Sequence, residues 1–333
     1  MERYSHRERL KMIIAGETPD RYAASFWRHF FHMEHTAEGT VEAMLAYQKE
    51  FDWDFMKLNT RADYHQEDWG FEQKWSHDEF KKHAKVKFPI ETIDDWTRLT
   101  PNEPTAPSLA EHLKVVSMIR KKSDPELPIL MTVFTPLAIA GRMVKDRKIL
   151  VEHLREAPEK VEKGLRAITD TFVKYASELR NAGADGLFFA TLQWASSDLL
   201  TWEEYQRFGV PYDLEVVRAA ESDAMNLLHV CAGYNYLKEL SQIKEYNASL
   251  YNWDACDPTN LPLDKANDVL KGKAFVGGVD QTGWLLRSDA EEVAYLTDVL
   301  KDRHEKNRLI IGPGCVVEPE TPRENLHVIR ERL

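Results

Sequence analysis

Cysteine is scarce in this sequence of 333 residues, which contains only Cys231, Cys256 and Cys315. A small, odd number of cysteines argues against a framework of disulfide bonds and favours reduced thiols, which are free to bind metal. The sequence also lacks an apolar run of the roughly 20 residues that a membrane-spanning helix needs. Residues 1–9 are polar and no secretory apolar stretch follows them, so we expect a cytoplasmic protein without membrane contact.

Positive charge is in deficit, since 44 lysines and arginines stand against 55 aspartates and glutamates, for a net charge of −11 at pH 7. Proteins that bind phosphate backbones carry a basic footprint, so this balance argues against nucleic acid and against an anionic membrane as partners. The hydrophobic content of 43% is that of an ordinary globular protein with a substantial core.

Short apolar runs alternate with longer helix-period stretches along the chain. The predicted strands cover residues 23–27, 55–58, 129–134, 186–190, 226–230, 249–253, 274–279 and 308–311. The clearest predicted helix covers residues 149–181 and is followed by Gly183, a typical C-terminal stop. Eight alternations predict an α/β fold of the (β/α)8 barrel type, a TIM-type barrel, as a single domain over residues 1–333. The competing doubly wound sheet would carry a Gly-x-Gly-x-x-Gly fingerprint, which we do not find.

Residues 62–108 do not fit this alternation, because they are rich in Trp, His, Lys and Asp and later in Pro. We therefore expect an insertion between the second and third strands. The sequence is equally compatible with a flap or interface arm and with an irregular surface excursion.

Three residues with metal-ligating side chains follow predicted strands. His229 and Cys231 are two positions apart at the end of the fifth strand, so their side chains project to the same side. Cys315 follows the eighth strand across a Gly-Pro-Gly turn and can face the same barrel mouth. Three N and S ligands with an open fourth position are typical of catalytic zinc. The alternative is that both cysteines are small buried hydrophobic residues and His229 a hydrogen-bonded core residue.

Such a zinc site favours a particular chemistry. Zinc deprotonates a thiol that coordinates it, and a site of one neutral His and two thiolates is formally neutral. A third, incoming thiolate stays electron-rich enough to attack an electrophilic carbon, which favours methyl transfer to sulfur. Hydrolysis remains open, because the carboxylates of Asp280 and Glu318 follow the seventh and eighth strands and can act as catalytic bases.

Motifs along nearly the whole chain resemble the uroporphyrinogen decarboxylase superfamily. They lie at residues 7–21, 201–205, 211–212 and 277–280, and most specifically at 312–326, where Gly-Pro-Gly-Cys precedes Pro-Glu-Thr-Pro-Arg-Glu-Asn-Leu. This resemblance implies a distorted (β/α)8 barrel. Within the superfamily the chain is similar to the zinc-dependent methylcobalamin:thiol methyltransferases typified by methylcobalamin:coenzyme M methyltransferase, whose His-x-Cys and distant Cys ligands match His229, Cys231 and Cys315.

The resemblance implies an enzyme that moves a methyl group between a corrinoid, as methylcobalamin or on a corrinoid carrier protein, and a small thiol such as coenzyme M. Zn²⁺ would activate the thiol, and relatives are monomers or homodimers. One alternative is a metal-free decarboxylase, but its Arg-Gln-Ala-Gly-Arg loop is replaced by residues 26–30, in which only Arg28 is an arginine. Another is a tetrapyrrole- or corrinoid-binding protein without turnover. Asn252, Gly278 and Gln281 depart from the superfamily's usual residues and leave the methyl donor and acceptor open.

Further binding residues are predicted at strand ends. Four tryptophans that fall there can wall a pocket for a planar ligand such as a corrin, or can simply fill the core: Trp27, Trp194, Trp253 and Trp284. Gln193 and Asp280 are polar residues at strand ends and can orient substrate. Arg28 or Arg61 can bind an anionic group on the thiol, the alternative being an exposed, solvated arginine.

Overall fold

The computed structural model describes residues 3–220 and 225–333. Its strands are β1 (Ala23–Ala24), β2 (Met56–Leu58), β3 (Glu72–Lys74), β4 (Ala84–Lys87), β5 (Ile129–Phe134), β6 (Gly186–Ala190), β7 (Leu227–His229), β8 (Leu250–Asn252), β9 (Ala274–Val279) and β10 (Leu309–Pro313). Each of the eight predicted strands overlaps one of them, and β10 extends two residues beyond its predicted end. The additional pair, β3 and β4, forms an antiparallel hairpin.

The eight strands other than β3 and β4 form one parallel sheet in the order β1-β10-β9-β8-β7-β6-β5-β2. The two outer strands of this order, β1 and β2, lie close together. The N–H of Asp54, just before β2, donates to the carbonyl of Ala24 in β1 at 2.8 Å. Ser25 Oγ also donates to the carbonyl of Phe55 at 2.8 Å. The predicted (β/α)8 fold is confirmed, and the carboxyl ends of its strands meet at one mouth.

Helices surround the sheet. They are α1 (His6–Ala15), α2 (Ala37–Phe51), α3 (Tyr64–Glu67), α4 (Pro107–Lys122), α5 (Pro136–Met143), α6 (Arg147–Glu156), α7 (Pro158–Ala182), α8 (Trp202–Phe208), α9 (Val210–Ala219), α10 (Leu237–Ser241), α11 (Ala266–Leu270), α12 (Trp284–Arg287), α13 (Ala290–Arg303) and α14 (Arg323–Glu331). Short 3₁₀ helices cover Asp95–Arg98, Leu192–Trp194, Lys244–Tyr246 and Leu263–Lys265. Among the described residues, no helix is both long and apolar enough to cross a membrane.

The prediction of one helix over residues 149–181 is wrong at Pro158. The chain forms two helices there, and Pro158 is the first residue of α7. A proline has no N–H to donate to the preceding turn and its ring clashes with that turn, whereas the first helical position tolerates both features. The apolar stripe therefore continues through a change of helix that periodicity alone does not reveal.

The segment expected to be an insertion, residues 62–108, runs from the end of β2 into α4 and carries the β3–β4 hairpin. Trp96 anchors it to the helical layer, because its ring is fully buried and its Nε1 donates to Nδ1 of His153 at 3.0 Å. The hairpin itself lies at the barrel mouth, where His83 and Lys85 line a cavity.

Asp213 is one of the buried carboxyl groups outside the barrel mouth, and it lies in the helical layer. Asp213 in α9 is fully buried, and its Oδ2 accepts hydrogen bonds from the hydroxyls of Tyr205 and Tyr246, each at 2.8 Å. Its Oδ1 has no hydrogen-bond partner among the residues described. Burial raises the pKa of Asp213 to about 7, even though the two hydroxyl hydrogen bonds oppose the shift.

We expect Asp213→Asn to remove a loss of stability that wild-type protein suffers on going from pH 4 to pH 7. An unfolded Asp ionises near pH 3.9, so the unfolded state loses its proton first, and folding is weakened until pH exceeds the folded pKa. The shift corresponds to at most about 4 kcal/mol in the free energy of unfolding at pH 8. Urea unfolding of both proteins between pH 4 and pH 8 measures it. Parallel pH profiles for the two proteins would contradict this expectation.

Candidate metal centre

The three residues predicted to bind metal lie together at the carboxyl ends of β7 and β10. Cys315 Sγ lies 3.8 Å from Cys231 Sγ and 3.8 Å from Nε2 of His229. One ligand atom from each residue falls within 4.8 Å of the others, and no other group of three His, Cys, Asp or Glu residues in the described chain does so. A spacing of this size leaves room for one ion in contact with both sulfurs and the nitrogen.

Hydrogen bonds fix the loop that carries Cys231. Ala232, the next residue, has a φ of +70°, and this left-handed backbone turns the chain directly after the cysteine. The Nδ2 of Asn260 donates to the carbonyl of Ala232 at 2.9 Å, and the Nδ2 of Asn235 donates to the carbonyl of Val230 at 3.3 Å. These contacts hold both sides of Cys231 in place.

The loop that carries Cys315 is held by residues of the loops that follow β8 and β9. The N–H of Gly314 donates to Oε1 of Gln281 at 2.9 Å, and Nε2 of Gln281 donates to Oδ2 of Asp254 at 3.2 Å. A Cβ at position 314 would lie 2.6 Å from Cα of Asp254, so the backbones approach too closely for any residue but glycine. Gln281, noted in the sequence only as a departure, therefore links the loops that follow three adjacent strands.

Asn252 sets the orientation and the tautomer of His229. Its Nδ2 donates to the carbonyls of Val276 at 2.8 Å and Pro313 at 2.9 Å, which leaves Oδ1 facing Nδ1 of His229 at 2.6 Å. Because Oδ1 can only accept, Nδ1 of His229 carries the proton, and Nε2 presents its lone pair towards Cys315. A neutral imidazole oriented in this way is the usual form of a metal-ligating histidine.

The two thiols interact strongly. A hydrogen bond from Cys231 lowers the pKa of the Cys315 thiol well below its usual range. The Cys315 thiolate, together with burial, raises the pKa of Cys231 well above its usual range. Two sulfurs so close share one proton more readily than they carry two charges. A divalent cation would remove this repulsion, and the donor set of one imidazole and two thiolates suits zinc.

Two adjoining cavities lead to this cluster from the mouth. The inner cavity has a volume of about 170 Å³, and Trp27, Phe188, His229 and Cys315 are among the residues that line it. The outer cavity has a volume of about 240 Å³ and reaches Glu318. Both are lined by His29, Ala62, Arg142 and Val316.

Of the residues predicted to bind substrate or act as a base, two line these cavities. Trp27 is buried in the wall of the inner cavity, where its ring packs edge-on against Phe188 with centroids 5.3 Å apart. Glu318 lines the outer cavity and does not reach the inner one that holds the ligand cluster. Asp280 instead accepts the N–H of Gly283 at 2.7 Å, which stabilises the turn after β9 and leaves it outside both cavities.

The other predicted binding residues line neither cavity. Trp194 is fully buried against Gly141, where an added Cβ would lie 2.2 Å from the indole ring. Trp253 is also fully buried, and its Nε1 donates to the carbonyl of Leu261 at 2.6 Å. Since side chains alternate along a strand and Asn252 points into the barrel, the side chain of Trp253 points into the helical layer.

Polar residues expected near the substrate are also placed elsewhere. Arg28 pairs with Glu79 at 2.6 Å, and Arg61 pairs with Glu67 at 2.8 Å, so neither is an exposed, solvated arginine. Gln193 is partly buried in the 3₁₀ helix after β6 and lines neither cavity. Trp284 is partly buried in α12, packed against the core.

Asn252 and Lys57 are two of the polar residues of the site that sequence reasoning missed. Asn252 was noted as a departure, but its contact with His229 follows from the register of β7 and β8, in which the two residues are paired. Lys57 lies in β2 and lines the inner cavity. A lysine inside a strand predicted to be buried on both faces is the signal that could have identified it.

The family model described as uroporphyrinogen decarboxylase (URO-D) matches residues 8–333. A methylcobamide:CoM methyltransferase (MtbA) of Methanosarcina acetivorans is 25% identical over 250 residues, which are 74% of this chain and 69% of the relative. A uroporphyrinogen decarboxylase of Syntrophotalea carbinolica is 25% identical over 219 residues, 64% of this chain and 61% of the relative. Among solved structures, a methyltransferase from Methanosarcina mazei superposes with a TM-score of 0.78 over 98% of each chain at 18% identity, a likeness of fold.

Proposed function

The chain belongs to the uroporphyrinogen decarboxylase family, and we propose that within this family it is a zinc-dependent methyltransferase. It moves a methyl group between a corrinoid and a small thiol such as coenzyme M. The observation that carries this proposal is the cluster of His229 Nε2, Cys231 Sγ and Cys315 Sγ within 4.8 Å of one another. The similarity to a relative named methylcobamide:CoM methyltransferase supports it independently.

The ligand set is suited to an open metal site. Three protein ligands and one free position characterise catalytic zinc, whereas structural sites use four. His229 and Cys315 both line the inner cavity, so a substrate that enters the cavity reaches the cluster. Zinc bound there would deprotonate a coordinating thiol and keep its sulfur nucleophilic near neutral pH.

The protein's own residues would prepare this site. Asn252 holds His229 in the tautomer that presents Nε2, and Gln281 holds the backbone next to Cys315. Trp27 and Phe188 close the inner wall with aromatic rings and so limit the access of water. The chemistry is thereby confined to the side of the cluster that faces the cavity.

Cavity size separates the two substrates. Pockets for drug-sized ligands have volumes of about 300–1,000 Å³. The inner cavity, at about 170 Å³, fits a small thiol and excludes a corrin ring. The corrinoid therefore approaches at the mouth, on a separate carrier protein or as free methylcobalamin.

Decarboxylation of a porphyrin-like acid is the second candidate, because a uroporphyrinogen decarboxylase is also among the relatives. Such an enzyme needs cationic groups for the substrate's carboxylates. The arginine that follows β1, Arg28, is held by Glu79. A decarboxylase would keep its activity after chelation and after Cys231→Ala.

We expect purified protein to contain one zinc per chain by elemental analysis and to demethylate methylcobalamin, followed by absorbance, when a suitable thiol is added. The thiols should form a panel that includes coenzyme M, each with free methylcobalamin and with a methylated corrinoid carrier protein. Chelation should abolish turnover and added zinc should restore it.

Three outcomes would reject the methyltransferase. Zinc-loaded protein that leaves every thiol unreacted, with free cobalamin and with carrier, would exclude it. Release of carbon dioxide from a porphyrinogen after chelation would favour the decarboxylase. Saturable corrinoid binding that is indifferent to Cys315→Ala and gives no product would indicate a binding protein.

A further inference from the structure

A lysine is buried in the wall of the inner cavity. Lys57 lies at the centre of β2, and only 6% of it is exposed. Its Nζ lies 4.5 Å from the ring centroid of Phe188 and 5.7 Å from that of Trp27, and it donates a hydrogen bond to Oδ1 of Asn59. Within residues 3–220 and 225–333, no carboxylate lies within ion-pair distance of this nitrogen.

A buried ammonium without a carboxylate partner is costly, because burial removes its hydration. Two aromatic faces and one amide oxygen compensate only part of that cost. Burial lowers the pKa of Lys57 to about 7, while the negative charges of Cys315 and Glu34 favour its charged form. The positive charge of Lys57 is therefore only partly compensated by its surroundings, and a further negative group beside it would stabilise it.

That group would be found in the same cavity. Lys57, His229 and Cys315 all line it, and Phe188 contacts both the ammonium and the imidazole, whose ring lies 5.2 Å away. With a dication, a neutral histidine and two thiolates, the metal site is formally neutral. A third thiolate, from the acceptor, brings one uncompensated negative charge into a buried space.

We infer that Lys57 is the positioning residue for the thiol that accepts the methyl group. Its ammonium would lie beside the sulfur of that thiol and balance the negative charge that the thiolate brings into the cavity. This inference rests on the proposed function, since it assigns a role towards that function's thiol. It limits the acceptor to small thiols that bind as thiolates. Lys57 would favour binding of the thiolate over binding of the neutral thiol.

The charge of Lys57 can be tested in metal-free protein, without turnover. Iodoacetate and iodoacetamide alkylate the same thiolate, but only iodoacetate is an anion, so the ratio of their rates at Cys315 reports the local field. We expect Lys57→Met to lower this ratio at least tenfold, because one charge about 12 Å away already has an effect of that size at an effective dielectric constant near 20, and a closer charge has a larger one. Mass spectrometry of the peptide that contains Cys315, in a Cys256→Ala background, measures both rates.

Two further variants make the comparison specific. Lys57→Arg keeps the charge and should restore most of the ratio. Lys81→Met removes a charge from an exposed lysine of the hairpin region, paired with Asp78, and should leave the ratio unchanged. An unchanged ratio in Lys57→Met would overturn the inference, whatever the enzyme does with methyl donors.

The zinc-loaded enzyme separates this inference from the proposed function. We expect Lys57→Met to raise the KM for the thiol at least tenfold with a smaller change in kcat, and Lys57→Arg to recover most of it. Wild-type methyl transfer with an unchanged thiol KM in Lys57→Met would reject the role of Lys57 and leave the methyltransferase intact. If wild-type enzyme transfers no methyl group to any thiol, the proposed function fails, and with it the acceptor role, even when the alkylation ratio falls.

Discussion

Replacing Cys315 by alanine is expected to reduce bound zinc from one per chain to almost none and to abolish methyl transfer to the thiol. Cys315 Sγ lies 3.8 Å from each of the other two ligand atoms, so the substitution removes the ligand atom that is adjacent to both. The remaining histidine and cysteine would offer only two ligands, too few for a catalytic zinc site. Elemental analysis of dialysed protein and a methylcobalamin absorbance assay measure the two effects.

Cys256 provides the matched control. It is exposed on the loop after β8 and belongs to no group of ligating side chains among the described residues. Cys256→Ala should therefore keep one zinc and full turnover. Cys315→Ala protein that retains a full complement of tightly bound zinc would mean that the metal is held elsewhere, and the proposed site would be wrong.

Asn252→Ala is expected to weaken zinc binding by roughly 10- to 100-fold, the usual effect of losing a partner that orients a metal ligand. Without Oδ1 of Asn252, nothing selects the His229 tautomer that presents Nε2. The carbonyls of Val276 and Pro313 also lose their donor, and each buried group left unpaired costs about 1–3 kcal/mol. Competition with a chromophoric chelator measures affinity, and urea unfolding measures stability.

The Asn252→Asp variant separates the two functions of the Asn252 amide, which accepts from His229 and donates to two carbonyls. Asn252→Asp keeps an acceptor for His229, but an ionised carboxylate cannot donate to the two carbonyls that Nδ2 satisfies. We expect it to be at least as destabilising as Asn252→Ala. Asn181→Ala, on the exposed surface of α7, is the control and should change neither property. Native zinc affinity in Asn252→Ala would contradict the orienting role.

The barrel could be predicted because parallel strands that are buried on both faces appear in the sequence as nearly continuous apolar runs. Residues 129–134 and 186–190 are such runs, and each coincides with a strand of the structure. The break between α6 and α7 was not predicted, because the apolar stripe continues across the change of helix at Pro158. Periodicity records which face is buried and says little about where one helix ends and the next begins.

The ligand cluster could also be predicted, since two ligands share a strand end and the third follows another strand. The tryptophans could not be placed in the same way. Trp27 lines the inner cavity while Trp253 is in the helical layer, although both stand at strand ends. The direction of a side chain there depends on a register shift of one residue, which the sequence does not specify. The role of Lys57 was not predicted, because its apolar neighbours indicated only a buried strand.

One amide side chain, that of Asn252, is hydrogen-bonded to three strands besides its own, since His229, Val276 and Pro313 lie on β7, β9 and β10. For evolution this is a constraint on a pair of positions. A different residue at 229 would leave the amide oxygen without its donor, and a carboxylate at 252 would leave two carbonyls without theirs. Descendants of this chain should therefore exchange residues 229 and 252 together or keep both.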